Sequence, residues 1–204
     1  MKVLLSKPVR LPRLRNRRLL LRLLHEAAHL SGLDASLGRD PRAALQVVLV
    51  GARTMARLNA AFLGHQGCTD VLAFALGEAG DGAADEPGDG PVVVGEVYIC
   101  PAVAAEAARR FGTSLADECV LYAVHGMLHL AGYDDTTPAA RRAMRRAERR
   151  LLQRLRDNAD FGAIFADASA DTGAVGAGPV SPSPLTAPVR RARQHHGKTN
   201  TYGV

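Results

Sequence analysis

Apolar residues along this chain fall into short dense runs and longer helical stripes, and their order predicts an α/β fold. Lys2–Leu5 reads as a short edge strand. Between Arg15 and Leu30, the residues Leu19, Leu20, Leu23, Leu24, Ala27 and Leu30 recur on one side of a helix. Ala44–Val50 is a compact, Val-rich run read as a buried strand, and Thr54–Phe62 follows it as a helix. Asp70–Leu76 and Val92–Cys100 are two further apolar strands. The stretch between them, Glu78–Pro91, is rich in Gly, Ala and acid and is expected to be a loop. Pro101 can occupy the first position of a helix running to about Arg110. Ser114 with Asp117 is a capping signal for a strongly apolar helix over 115–131, and a last helix starts at Thr137 and Pro138 and runs to about Arg156. The resulting order, β-α-β-α-β-β-α-α-α, predicts a small α/β domain in which a mixed sheet of about four strands packs against helices.

The character changes from about Asp157, where Ala, Gly, Ser, Pro and Thr dominate, and hydrophobic periodicity vanishes after Phe165, so residues 166–204 read as disordered. The expected division is therefore a domain over 1–157 and a C-terminal tail over 158–204 that is mostly disordered. The 204 residues suffice for one domain with a substantial core. With 4% aromatics and no Trp, that core must be built from Leu, Val and Ala. Cys68, Cys100 and Cys119 are odd in number and scattered, which predicts reduced thiols and a cytoplasmic location. Basic residues precede Leu19–Leu24, but Arg22, His25 and Glu26 interrupt that run, so it does not read as a signal peptide. No apolar run approaches the length of a membrane span.

The net charge of +6 is unevenly placed. The first 22 residues carry eight Lys or Arg and no acid, and residues 141–156 carry eight Arg against one Glu. Such patches fit a polyanion such as RNA, or serve only as a basic, soluble surface.

Chemistry concentrates in His125-Gly126-Met127-Leu128-His129-Leu130-Ala131-Gly132-Tyr133-Asp134-Asp135. Residues four apart on a helix share a face, so His125 and His129 can chelate one ion through neutral imidazoles. Leaving two unpaired imidazoles in so apolar a helix would cost about 1–3 kcal/mol each. Gly132 permits a left-handed stop, after which Asp135 can approach as a third ligand. Three protein ligands leave one position for water, whose pKa zinc can lower to about 7. The plainer alternative is a pair of core histidines bonded to backbone carbonyls. A second candidate, His25-Glu26-Ala27-Ala28-His29, matches the zinc-peptidase signature H-E-x-x-H. It lies opposite the Leu stripe with no third ligand at a matching spacing, and reads as a solvated helix face. At the first site residue 126 is Gly, so the Glu that serves peptidases as general base is missing. The ligands therefore fit hydrolysis that asks less of a side chain, such as phosphodiester cleavage.

The run from His125 to Asp134 resembles the signature of the YbeY family of bacterial rRNA-maturation endoribonucleases. Leu58-Asn59 with Thr69-Asp70-Val71-Leu72-Ala73-Phe74 is similar to that family's N…TDVLSF block, and Gly95–Cys100 is similar to its GDIVI strand. The blocks occur in the family's order over roughly residues 40–156. The resemblance implies the family's small α/β sandwich and a zinc-dependent endoribonuclease specific for single strands. It further implies action on the 3′ end of small-subunit rRNA and in ribosome quality control, with rRNA and the small ribosomal subunit as partners. Three positions depart from the family pattern: Asp135 replaces a usual His, Leu63 aligns with a usual Arg, and Ala73 replaces a usual Ser. An aspartate ligand lowers Lewis acidity and makes the site more tolerant of harder ions.

The expected site is thus His125, His129 and Asp135 on one Zn²⁺, with Asp134 orienting a ligand or moving a proton. Arg141, Arg142 and Arg145 on the last helix are expected to contact RNA. The alternatives are a metzincin-like metallopeptidase and a non-catalytic RNA binder of ribosome assembly. A two-His-one-carboxylate iron oxygenase fits less well, because its ligands usually project from barrel strands.

Overall fold

The computed structural model of the chain describes residues 1–7, 14–37, 40–76, 90–166 and 190–191. Strands β1 (Lys2–Ser6), β2 (Ala43–Leu49), β3 (Val71–Ala75) and β4 (Val92–Ile99) form a mixed sheet in the order β1-β2-β4-β3. β1 runs parallel to β2, β2 parallel to β4, and β3 antiparallel to β4. A two-residue strand, β5 (Arg190–Arg191), joins the far side of β3 in parallel. The helices are α1 (Arg17–Leu30), α2 (Leu33–Leu37), α3 (Ala52–Leu63), α4 (Pro101–Phe111), α5 (Leu115–Leu130) and α6 (Pro138–Asn158). The predicted mixed α/β architecture is what forms. Short α2 is an addition, and the sequence-based boundaries move by at most two residues.

Strand side chains alternate between faces, which gives the sheet two unequal sides. Leu45, Val47, Leu49, Val71, Ala73, Val97 and Ile99 point into the main core beneath α1, α5 and α6. Val48, Leu72 and Phe74 face the other way and meet Met55 of α3 in a smaller cluster. The main core extends past α6: Phe161, Ile164 and Phe165 are buried, and Leu14 bridges to Phe165. The loop expected over Glu78–Pro91 lies largely outside the described residues, as does nearly all of the expected tail beyond Ala166. Among the described residues, no helix is long and apolar enough to cross a membrane.

Helix α5 is buried on almost every side, between the sheet and helices α1, α4 and α6. Its start is fixed by the predicted signal, here a full capping box. Asp117 N donates to Ser114 Oγ at 3.0 Å, and the Asp117 carboxylate accepts from Ser114 N at 3.1 Å. Its middle is set by Gly126, whose missing side chain lets the helix backbone settle onto β3 and β4. A Cβ there would stand 2.8 Å from Val97 Cγ1 and 3.3 Å from Val71 Cγ2. Alanine favours a helix over glycine by about 1 kcal/mol, but overpacking a core costs about 1–3 kcal/mol. Val97 is fully buried and β-branched, so it cannot swing aside. The two terms net to about 0–2 kcal/mol, so Gly126→Ala is expected to lower stability by roughly 1 kcal/mol, read as a lower melting temperature. An unchanged or raised melting temperature would show that α5 is not held at this contact.

Candidate metal centre

α5 delivers both histidines to one place, and its ending delivers the carboxylate. Gly132 takes φ +96°, the left-handed stop expected from the sequence. Tyr133 N then donates to Leu128 O at 3.0 Å, closing the helix end. The chain doubles back, and the Tyr133 carbonyl lies 3.0 Å from His129 Nδ1. Two residues on, Asp135 is buried beside the imidazoles, and ligand atoms of His125, His129 and Asp135 lie within 4.8 Å of one another.

The hydrogen bonds around the rings fix their tautomers by chemical necessity. His129 Nδ1 faces a carbonyl oxygen, which can only accept, so Nδ1 carries the proton. His125 Nδ1 faces Glu148 Oε1 at 2.7 Å and donates likewise. With Nδ1 occupied in both rings, Nε2 is the atom each neutral imidazole offers to an ion, and the two Nε2 atoms converge to 3.0 Å, with the rings near-perpendicular at 88°. Asp135 Oδ2 sits 4.0 Å from His129 Nε2, buried and without a hydrogen-bond partner. Two converging lone pairs and an orphaned carboxylate oxygen would repel one another in a dry interior. A divalent cation turns each of those repulsions into attraction, and two imidazoles with one carboxylate is a donor set that zinc accepts. The residues present fit the ion. Burial, and then the neighbouring His125, hold the His129 pKa below its ordinary value, which keeps the ring neutral and ready to ligate.

Glu148 is the functional residue that sequence reasoning missed. It is the single acid among the arginines of residues 141–156, yet it lies on the buried stripe of α6 with Met144, Ala147, Leu151 and Leu152. That position was the available signal: an acid on an apolar stripe needs a partner. A carboxylate on the distal nitrogen orients a ligating imidazole and raises its basicity. The plainer alternative, histidines bonded to backbone, therefore describes one nitrogen of His129 and leaves both Nε2 atoms unexplained.

The other expected residues separate into distinct situations. Asp134 is exposed, and its carboxylate accepts from both the hydroxyl and the backbone N–H of Thr136. The Thr136 hydroxyl bond, foremost, holds Asp134 below the usual carboxylate range. Asp134 does not belong to the ligand group. Arg141 is half-buried, and its guanidinium donates to the Asp135 and Thr136 carbonyls at 3.4 Å each, bracing the ligand loop. Arg142 and Arg145 are exposed. Leu63 is half-buried at the end of α3 and packs on the smaller cluster. The H-E-x-x-H decoy has structural partners instead: His25 Nε2 accepts from the N–H of Val3 on edge strand β1 at 3.2 Å, and His29 Nδ1 lies 3.0 Å from Asp34.

The family model described as endoribonuclease YbeY matches residues 10–156. A protein named endoribonuclease YbeY from Rhodococcus erythropolis is 40% identical over 111 residues, covering 54% of this chain and 62% of that one. One of the same name from Thermobifida fusca is 44% identical over 112 residues, covering 55% and 71%. The chain thus spans less than two thirds of the Rhodococcus relative. A Thermotoga maritima protein solved in solution aligns with a TM-score of 0.49 at 23% identity, covering 83% of this chain and 99% of that chain.

Proposed function

The chain belongs to the YbeY family, and from that premise we propose that it is a zinc-dependent endoribonuclease cutting single-stranded RNA. The observation that carries this reading is the converging pair of Nε2 atoms beside the orphaned Asp135 oxygen. When bound, zinc supplies Lewis acidity and activates water toward a phosphodiester. His125, His129 and Asp135 hold the ion, and Glu148 keeps His125 in its ligating tautomer. Arg141 secures the loop that presents Asp135. Arg142 and Arg145 lie on the exposed side of α6, where they neutralise backbone phosphates of the incoming strand. Asp134, an exposed carboxylate beside a ligand, is assigned the exchange of a proton with solvent. The proposed setting is maturation of the small-subunit rRNA 3′ end and ribosome quality control, on the small ribosomal subunit in the cytoplasm.

Two other readings each meet a specific observation, one against and one in favour. A metallopeptidase would need a general base next to His125, but position 126 faces Val97 and Val71, with no room for one. A non-catalytic RNA binder is favoured by Leu63, an apolar residue where the family usually carries Arg. One assay separates the three: the zinc-loaded protein is given single-stranded RNA, duplex RNA and casein, with and without chelator. Only single-stranded RNA should be cut; chelator should stop the cutting and added zinc restore it. Stoichiometric zinc without any RNA cleavage would establish the binder, and casein cleavage would establish the peptidase.

A further inference from the structure

Two thiols that RNA cleavage leaves unused meet at the start of α4. Cys68, half-buried between α3 and β3, has its Sγ 3.5 Å from the Sγ of buried Cys100, the residue that precedes α4. The backbone on both sides is braced independently of the sulfurs. Cys100 N donates to Asp70 O at 2.9 Å, which ties the ends of β3 and β4 together. The Asn59 amide donates to Gly67 O at 3.0 Å, and the Asp70 carboxylate accepts from Val71 N and Thr69 Oγ1 at 2.9 Å each. The sulfurs therefore meet on a fixed frame.

We propose that Cys68 and Cys100 form a peroxide-reactive dithiol whose oxidised state is an intramolecular disulfide, tying the segment between α3 and β3 to the start of α4. The two thiols are chemically unequal. A hydrogen bond from the Cys68 thiol, and then backbone N–H groups of Val103 and Ala102 at the start of α4, bring Cys100 down to about 7. Donating that bond pushes Cys68 up. The pair shares one proton across the 3.5 Å Sγ–Sγ contact, and its transfer to Cys100 leaves the half-exposed Cys68 as the thiolate. That thiolate attacks a hydroperoxide; the O–O bond breaks, an alkoxide or hydroxide leaves and takes a proton from solvent, and Cys68 becomes a sulfenic acid. Cys100 then attacks the Cys68 sulfur as its proton is lost; the S–S bond forms, the S–O bond breaks, and the departing hydroxide takes that proton and leaves as water. The two thiols together give up two electrons, which reduce the peroxide bond. Cys119 supplies an internal reference: it is buried, and burial pushes its thiol up.

The inference is independent of the RNA-cleavage reading and is tested by chemistry on the full chain. The reduced protein is treated with a small excess of hydrogen peroxide near neutral pH, and thiols are counted after denaturation. The count should fall from three to one, with Cys68 and Cys100 joined in the peptide map and both thiols recovered with dithiothreitol. The bridge closes a loop between residues 32 positions apart, so the melting temperature should rise by several degrees. Cys68→Ser should show no such rise. Cys100→Ser should accumulate a Cys68 sulfenic acid that dimedone traps, whereas the wild type should not. Three surviving thiols would overturn the proposal. So would Cys68 sulfinic acid forming equally fast in the wild type and in Cys100→Ser.

Discussion

Replacing His129 with Ala should abolish stoichiometric metal binding and lower RNA cleavage about a thousandfold or more. The size follows from the chemistry at stake. A Lewis acid contributes several kcal/mol of transition-state stabilisation, and about 4 kcal/mol corresponds to that factor. The substitution leaves His125 and Asp135 in place, but two donors in a site built for three cannot hold a labile ion against buffer. The fold should survive, because alanine is an excellent helix former, His129 lies in the last turn of α5, and the helix keeps its N-terminal cap and its sheet contact. Metal content per chain after gel filtration, with initial rates on single-stranded RNA, reads both effects. Retained stoichiometric zinc would remove His129 from the centre. Cleavage equal to wild type would mean that the activity belongs to a contaminant.

Glu148→Ala should weaken zinc binding by about 10–100-fold while leaving the three ligands untouched. The carboxylate accepts the Nδ1 proton of His125 at 2.7 Å from the buried face of α6. Without it that proton has no acceptor, and the ring is free to rotate or to change tautomer. Glu148→Gln keeps an accepting oxygen and loses only the charge, so its affinity should fall between wild type and Glu148→Ala. Competition against a chromophoric chelator gives the affinities, and nitrogen chemical shifts of His125 give the tautomer directly. A role confined to packing would leave that tautomer unchanged in Glu148→Ala. Equal zinc affinity in all three proteins would refute the assignment.

The fold was readable wherever a single element carries its own signal. Short apolar runs marked β2, β3 and β4, and the Leu stripe marked α1. Helix α2 escaped because five residues with one buried leucine show no period. Strand order was not readable, since β2 pairs with β4 across the whole of α3 and β3, and pairing at that distance leaves no local trace. Phe161, Ile164 and Phe165 fall beyond the boundary drawn at residue 157, where the composition changes, yet all three are buried. At the site, His125, His129 and Asp135 were legible from spacing and a glycine stop. Glu148 was not, because among arginines a lone glutamate reads as surface charge. Gly126 was read only as a missing base, and the closeness of Val97 adds a steric reason for glycine there.

The ligand group and its support come from one continuous piece of chain: α5, the Gly132 turn and α6, with His125 and Glu148 only 23 positions apart. An ion held there is a clasp across a helical hairpin. It stabilises the hairpin by mass action, by about 2.7 kcal/mol when free metal exceeds its dissociation constant a hundredfold. The outer arm of that hairpin displays the arginines. Thermodynamic linkage then runs in both directions. A polyanion that docks better on a seated α6 must tighten the ion, and the ion must tighten the polyanion by the same factor.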